Sequence, residues 1–163
     1  MEAFTAPLDI RYDAQASKIL GADHWRVITS FRYYLGSKYS EQWVTVPAGY
    51  LTDGASVPQL LWNLIPPWGS YGQAAVVHDL LCEYLAIVVA GELVSITRER
   101  CDEIFSESMS VLGVPEWKRW AIYQGVSMYR KLARIDMPST IPLKRKLEAT
   151  WHPVLEGASR RAR

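Results

Sequence analysis

Residues 46–84 read VPAGYLTDGASVPQLLWNLIPPWGSYGQAAVVHDLLCEY, and the period of the apolar residues changes inside this stretch. Before it they alternate as in strands; after it they recur at three and four as in helices. The fold class is therefore α+β, with an N-terminal antiparallel β-hairpin or small sheet packed on a C-terminal three-helix core. Two acidic signals lie within the same stretch: Thr52-Asp53-Gly54-Ala55-Ser56 in a turn-rich loop, and His78-Asp79 in an apolar helical run.

Upstream, residues 8–12 read as a short first strand and residues 13–23 as a polar, irregular link. In residues 25–34, WRVITSFRYY, one parity carries Trp25, Val27, Thr29, Phe31 and Tyr33 and the other Arg26, Ser30 and Arg32, the pattern of a half-buried strand. A turn at 36–40 leads into the β-branched run at 43–46, which Pro47 and Gly49 interrupt, so a hairpin with a kinked or edge second strand is expected.

Downstream, the pattern is helical from Pro58 with a break at 66–69, PPWG. A helix over 71–88 places Ala74, Val77, His78, Leu81, Leu85 and Val88 on one stripe, with Asp79 at its edge. Gly91 marks its exit. Ser95 or Thr97 caps a second helix, which carries Cys101, Ile104, Phe105, Ser108, Val111 and Leu112 and closes at Gly113. Pro115 opens a third, over 116–134, with Trp117, Trp120, Ile122, Tyr123, Met128 and Tyr129. Residues 1–137 are expected to form one domain, and 138–163 a basic extension that wraps or docks.

The chain has 163 residues, 49% of them hydrophobic, enough for one domain with a sizeable core. Its 18 basic and 17 acidic residues leave a net charge of +1, so no global field draws in nucleic acid. Seven Trp and nine Tyr suit either core filling or half-apolar, half-wet surfaces. The N-terminal residues lack the basic-then-apolar layout of a secretory signal, and no apolar run reaches the roughly 18 residues that span a bilayer, so synthesis in a host cytoplasm is expected. Two cysteines, Cys82 and Cys101, are too few for a disulfide scaffold.

Asp102 falls in the first turns of its helix, three residues before Phe105, at the border of a face that must be buried. A carboxylate there needs a partner, because an unpaired buried charge costs several kcal/mol. His78, on the buried face of the preceding helix, is the natural one. Asp102 can then orient the imidazole while its other nitrogen acts as a general base; a hydrogen-bonded core histidine is the plainer alternative. Asp53, Asp79 and a carbonyl near Gly54 offer the oxygen ligands that calcium takes. Zinc fits less well, since His24, His78 and His152 form no cluster and the cysteines lack paired spacing.

TDGASVP at 52–58, YGQAAVVHDLL at 71–81 and RCDEIF at 100–105 together resemble a family of phage and bacterial proteins known mainly as a domain of unknown function, over roughly residues 25–134. Their order is also similar to the core of secreted phospholipase A₂, above all its small bacterial and fungal branch. That resemblance implies Asp53 and Gly54 as loop ligands of calcium, Asp79 as the helix ligand, His78 as the base and Asp102 as its partner, with Ser56 in the loop as a supporting residue. It asks for a tyrosine four residues after His78, where this chain has Cys82; Tyr84 or a tyrosine of the third helix is the expected replacement. It also raises a bridge between Cys82 and Cys101.

The resulting expectation is a phage-type, calcium-dependent lipid-ester hydrolase whose substrate is a membrane or envelope lipid. The alternative is a non-catalytic virion or tail component docked on neighbouring subunits, with these residues as a polar or metal-stabilised cluster. A peptidoglycan hydrolase is allowed by the residues but has no motif of its own.

Overall fold

A computed structural model of the chain describes residues 3–53, 69–133 and 142–151. Gly54 and Ser56, the helical pattern expected from Pro58 and most of the break at 66–69 lie outside them. The described residues form an α+β structure, with two antiparallel sheets and five helices among them.

The first strand, β1 (Ile10–Tyr12), runs into a helix, α1 (Ala14–Leu20), where the polar composition suggested an irregular link. Asp13 explains the difference. Its Oδ1 accepts from the Ala16 N–H at 2.9 Å, capping the helix, and Gly21 ends it in the left-handed conformation at φ 77°. The other oxygen, Oδ2, takes Nε of Arg26 at 2.7 Å.

Residues 25–34 form two strands, β2 (Trp25–Val27) and β3 (Phe31–Tyr34), rather than one. β2 sits between β1 and β5 (Leu51–Thr52), while β3 pairs with β4 (Gln42–Val46) in the second sheet. The chain changes sheets at residues 28–30, although Val27, Phe31 and Tyr33 keep their inward parity and are buried. The expected hairpin is β3–β4, in register from Phe31 against Val46 to Tyr34 against Trp43. Residues 3–5 cover the free edge of β3 through Tyr34 N–H to Ala3 O and Thr5 N–H to Arg32 O, at 2.9 and 3.0 Å.

The first described helix after residue 53 is α2 (Gly72–Tyr84), buried from Gly72 to Glu83 and therefore central rather than one-sided. It is shorter than the 71–88 of the sequence pattern. Leu85 adopts a left-handed conformation at φ 48°, and the chain returns as a second hairpin, β6 (Ala86–Val89) and β7 (Glu92–Ser95), with β6 paired to β4. Gly91 is thus a hairpin glycine: Ala90 at φ 49° and Gly91 at φ 87° make the two-residue left-handed turn that right-twisted strands favour. Then follow α3 (Arg98–Val111), capped by Thr97, and α4 (Glu116–Ala133), with α3 packed on both α2 and α4.

The last described element is α5 (Pro142–Ala149). Its Lys144, buried, pairs with the buried Glu83 of α2, which also accepts from the Tyr50 hydroxyl at 3.1 Å. Arg26 donates to the carbonyls of Gly49 and Leu147 at 2.9 and 3.4 Å, joining the first sheet to α5. Gly49, at φ 92°, lies so close to Trp151 that a Cβ would come within 2.8 Å of the ring.

Asp13 therefore caps one helix and neutralises a buried guanidinium. Asp13→Ala is expected to cost about 2–4 kcal/mol of unfolding free energy, since a lost cap is worth about 1 and a broken buried ion pair more. Asp13→Asn, which keeps the cap, should cost less. Urea unfolding midpoints of the two variants, at unchanged slope, check both the size and the order.

Candidate functional site

Two hydrophobic clusters meet at α2. One packs the sheets against Val76, Val77, Leu80, Leu81 and Cys82; the other packs Ala74 and Ala75 against Phe105, Met109, Ile122 and Val126. His78 and Asp102 lie where they meet, with relative exposures of 4% and 3%.

His78 Nε2 is 2.9 Å from Asp102 Oδ1, and the imidazole stacks on Phe105 at 4.5 Å between ring centres and 18° between planes. The stacking follows from spacing: Phe105 stands one helical turn after Asp102, so a ring that meets the carboxylate also meets the phenyl face. The second carboxylate oxygen takes Nε of Arg130 at 3.0 Å and the Ser127 hydroxyl at 3.5 Å. One carboxylate thus binds a group from α2 and two from α4. A buried charge held on both oxygens is compensated where an isolated one would not be.

Cys82 Sγ is 3.5 Å from the same Nε2, where the phospholipase resemblance asks for tyrosine. Cys82 and Cys101 are free, buried thiols that hydrogen-bond to each other. That hydrogen bond and burial push the Cys82 thiol well above its ordinary pKa, so it is protonated and not a nucleophile at neutral pH. The expected replacement, Tyr84, is 46% exposed and carries the Arg145 guanidinium over its ring at 4.5 Å. Support for Asp102 comes from Arg130 and Ser127 instead.

Burial by itself would lower the His78 pKa. The Cys82 sulfur and the Asp102 carboxylate outweigh it and push the ring up to about 9. Because the thiol stays protonated, Asp102 is the cause that acts at neutral pH.

Asp79 is buried one residue further along α2, and its Oδ2 accepts from the Thr52 hydroxyl at 2.6 Å. This bond ties the start of the acidic loop to the His-Asp helix, with Asp53, exposed, next in the chain. Among the described residues no group of three or more His, Cys, Asp or Glu side chains is arranged to hold a metal ion. Two carboxylates fall short of the six to eight oxygens calcium takes; the remainder would have to include carbonyls from Gly54 onward.

Sequence reading did not single out Arg130 or Ser127, and it named Thr52 only as part of the acidic loop, with no partner. A signal for Arg130 is present: Ile122, Val126 and Arg130 recur at four residues, placing a guanidinium on the buried side of α4, where it needs a carboxylate.

The raised His78 pKa gives stability a defined pH dependence. An imidazole whose pKa rises from 6.5 to about 9 on folding stabilises the fold in its protonated form. The contribution is complete below pH 6.5 and is lost as pH rises through about 9. With EDTA present, the stability difference between wild type and His78→Gln should be flat on the acid side and shrink across that window in denaturant titrations. A difference that grows with pH would contradict the protonated pair.

No described helix is long and apolar enough to cross a membrane. No solved structure matches the chain. The uncharacterized protein y4jT of Sinorhizobium fredii (strain NBRC 101917 / NGR234) is 38% identical over 86 residues, which are 52% of this chain and 23% of that protein. The chain thus spans under a quarter of the length of that relative. The model of one family matches residues 25–126, a range that contains Asp53, His78, Asp79, Cys82 and Asp102 and stops one residue before Ser127. The chain belongs to that family, described as protein of unknown function (DUF1353).

Proposed function

We propose that this chain is a lipid-ester hydrolase in which His78 is the general base and Asp102 the residue that orients it. The observation that carries the reading is the 2.9 Å contact between His78 Nε2 and an Asp102 carboxylate whose other oxygen is already bound to Arg130. With Nε2 committed to Asp102, proton abstraction falls to Nδ1. Water loses a proton to Nδ1 as its oxygen attacks the ester carbonyl, Asp102 stabilises the imidazolium, and the ring returns the proton to the departing alcohol.

Calcium is part of the proposal, with Asp79, Asp53 and the Gly54 carbonyl as the groups that would hold it. Its chemistry there would be to polarise the ester carbonyl and stabilise the oxyanion. The Thr52–Asp79 hydrogen bond supports this choice, because it anchors Thr52, the residue before Asp53, on the His-Asp helix. An envelope phospholipid is the proposed substrate, and a phage or prophage the proposed setting.

A second reading, a non-catalytic virion or tail component, is favoured by one observation: the imidazole is only 4% exposed. On that reading the His-Asp-Arg group is an internal brace.

Phospholipid vesicles with millimolar calcium separate the two. The hydrolase reading expects fatty acid release that EDTA abolishes and that His78→Gln lowers by about 10² to 10⁴ with the fold intact. It also expects calcium to raise the melting temperature of wild type but not of Asp79→Asn. Release by His78→Gln at the wild-type rate, or none by wild type, would remove the enzyme reading.

A further inference from the structure

α4 presents an outer face that is exposed among the described residues. Trp117 is 67% exposed, Trp120 65%, Met128 61% and Leu132 78%, while Ile122 and Val126 on the opposite side are buried. At 100° per residue, Trp117, Trp120, Gln124, Met128, Lys131 and Leu132 lie within about 120° of one another. Isolated exposed apolar residues are ordinary; two tryptophans, a methionine and a leucine on one stripe mark an interaction surface.

The order of these residues identifies the partner. From Trp117 through Trp120, Gln124 and Met128 to Lys131 the spacings are three, four, four and three, a sequence that reads the same in both directions about Gln124. We infer that the outer face of α4 docks on a second copy of itself, antiparallel, across a two-fold axis at Gln124. In that arrangement Trp120 of each copy meets Met128 of the other, a sulfur–aromatic contact, and Lys131 lies over Trp117 and beside Glu116. The two Gln124 amides face each other and can exchange hydrogen bonds. Glu116 in the first turn and Lys131 in the last are brought together by an antiparallel pair and kept apart by a parallel one.

Such an interface is isologous, and closed at two copies. One helix face per protomer is small, below the roughly 1,200 Å² of stable complexes, so association at about micromolar concentration is expected. Arg130 is on the other side of α4, bound to Asp102, so the inference stands independently of the hydrolase reading.

Sedimentation equilibrium of the full chain over about 1–200 μM tests this. The expected result is a reversible monomer–dimer equilibrium whose dissociation constant rises at least about tenfold in Trp120→Glu. Glu116→Lys and Lys131→Glu should each weaken the dimer, and the double exchange should restore it; these exposed positions report even where Trp120→Glu fails to fold. A wild type that stays monomeric throughout, a dimer indifferent to Trp120→Glu, or a double exchange no better than either single one would overturn the assignment. So would a monomer that co-sediments with anionic vesicles and loses that binding in Trp120→Glu.

Discussion

The Asp102 carboxylate is the constraint on which the helical half of this protein depends. It comes from α3, accepts from His78 of α2 through one oxygen, and is held by Arg130 and Ser127 of α4 through the other. A charge 3% exposed is tolerated because both of its oxygens are bound, and the three helices are fixed relative to one another by that requirement. A second buried network does the same for the C-terminal helix, where Glu83 of α2 gathers Tyr50 and Lys144. The two networks meet α2 at His78 and Glu83, five residues apart, so this one helix is tied to both sides of the molecule.

How much of this was legible in the sequence depends on whether local spacing or remote contact decided each feature. His78 and Asp102 were legible as a pair because a carboxylate bordering an apolar helical face must find a partner, and the preceding helix offered one. Arg130 and Ser127 were not, because α4 reads as an aromatic helix and the aromatics draw the eye to the wrong side. Ile122 and Val126 face inward, while Trp117 and Trp120 face out. The start of β6, residues 86–88, reads as helix because Leu85 and Val88 continue the spacing of α2. Only the left-handed turn at Leu85 and pairing with β4 send the chain back as strand, and neither is a local property. α1 escapes the pattern for a different reason: it is short and buries little, Ala16 and Ser17, and its stability comes from the Asp13 cap and from contacts with distant elements.

On the proposed hydrolase reading, the groups are braced differently from what the phospholipase resemblance implies. A guanidinium and a hydroxyl from α4 take the role that a tyrosine on the histidine's own helix would have, and the freed position is Cys82. The Asp102 carboxylate keeps the imidazole in its protonated form at neutral pH. Any proton abstraction by His78 must therefore draw on a local change that lowers its pKa, and on the proposed reading a cation held at Asp79 would supply one of the right sign. The family match contains the histidine, both loop and helix carboxylates and Asp102, but not the residues of α4 that brace them.

The claim that Asp102 joins three helices is tested most directly by a thermodynamic double-mutant cycle on Asp102→Asn and Arg130→Gln, measured by denaturant unfolding at pH 7. A shared buried ion pair predicts a coupling energy of about 1–3 kcal/mol between the two positions. Costs that add to within about 0.5 kcal/mol would show that Arg130 does not hold the carboxylate, and would contradict the account.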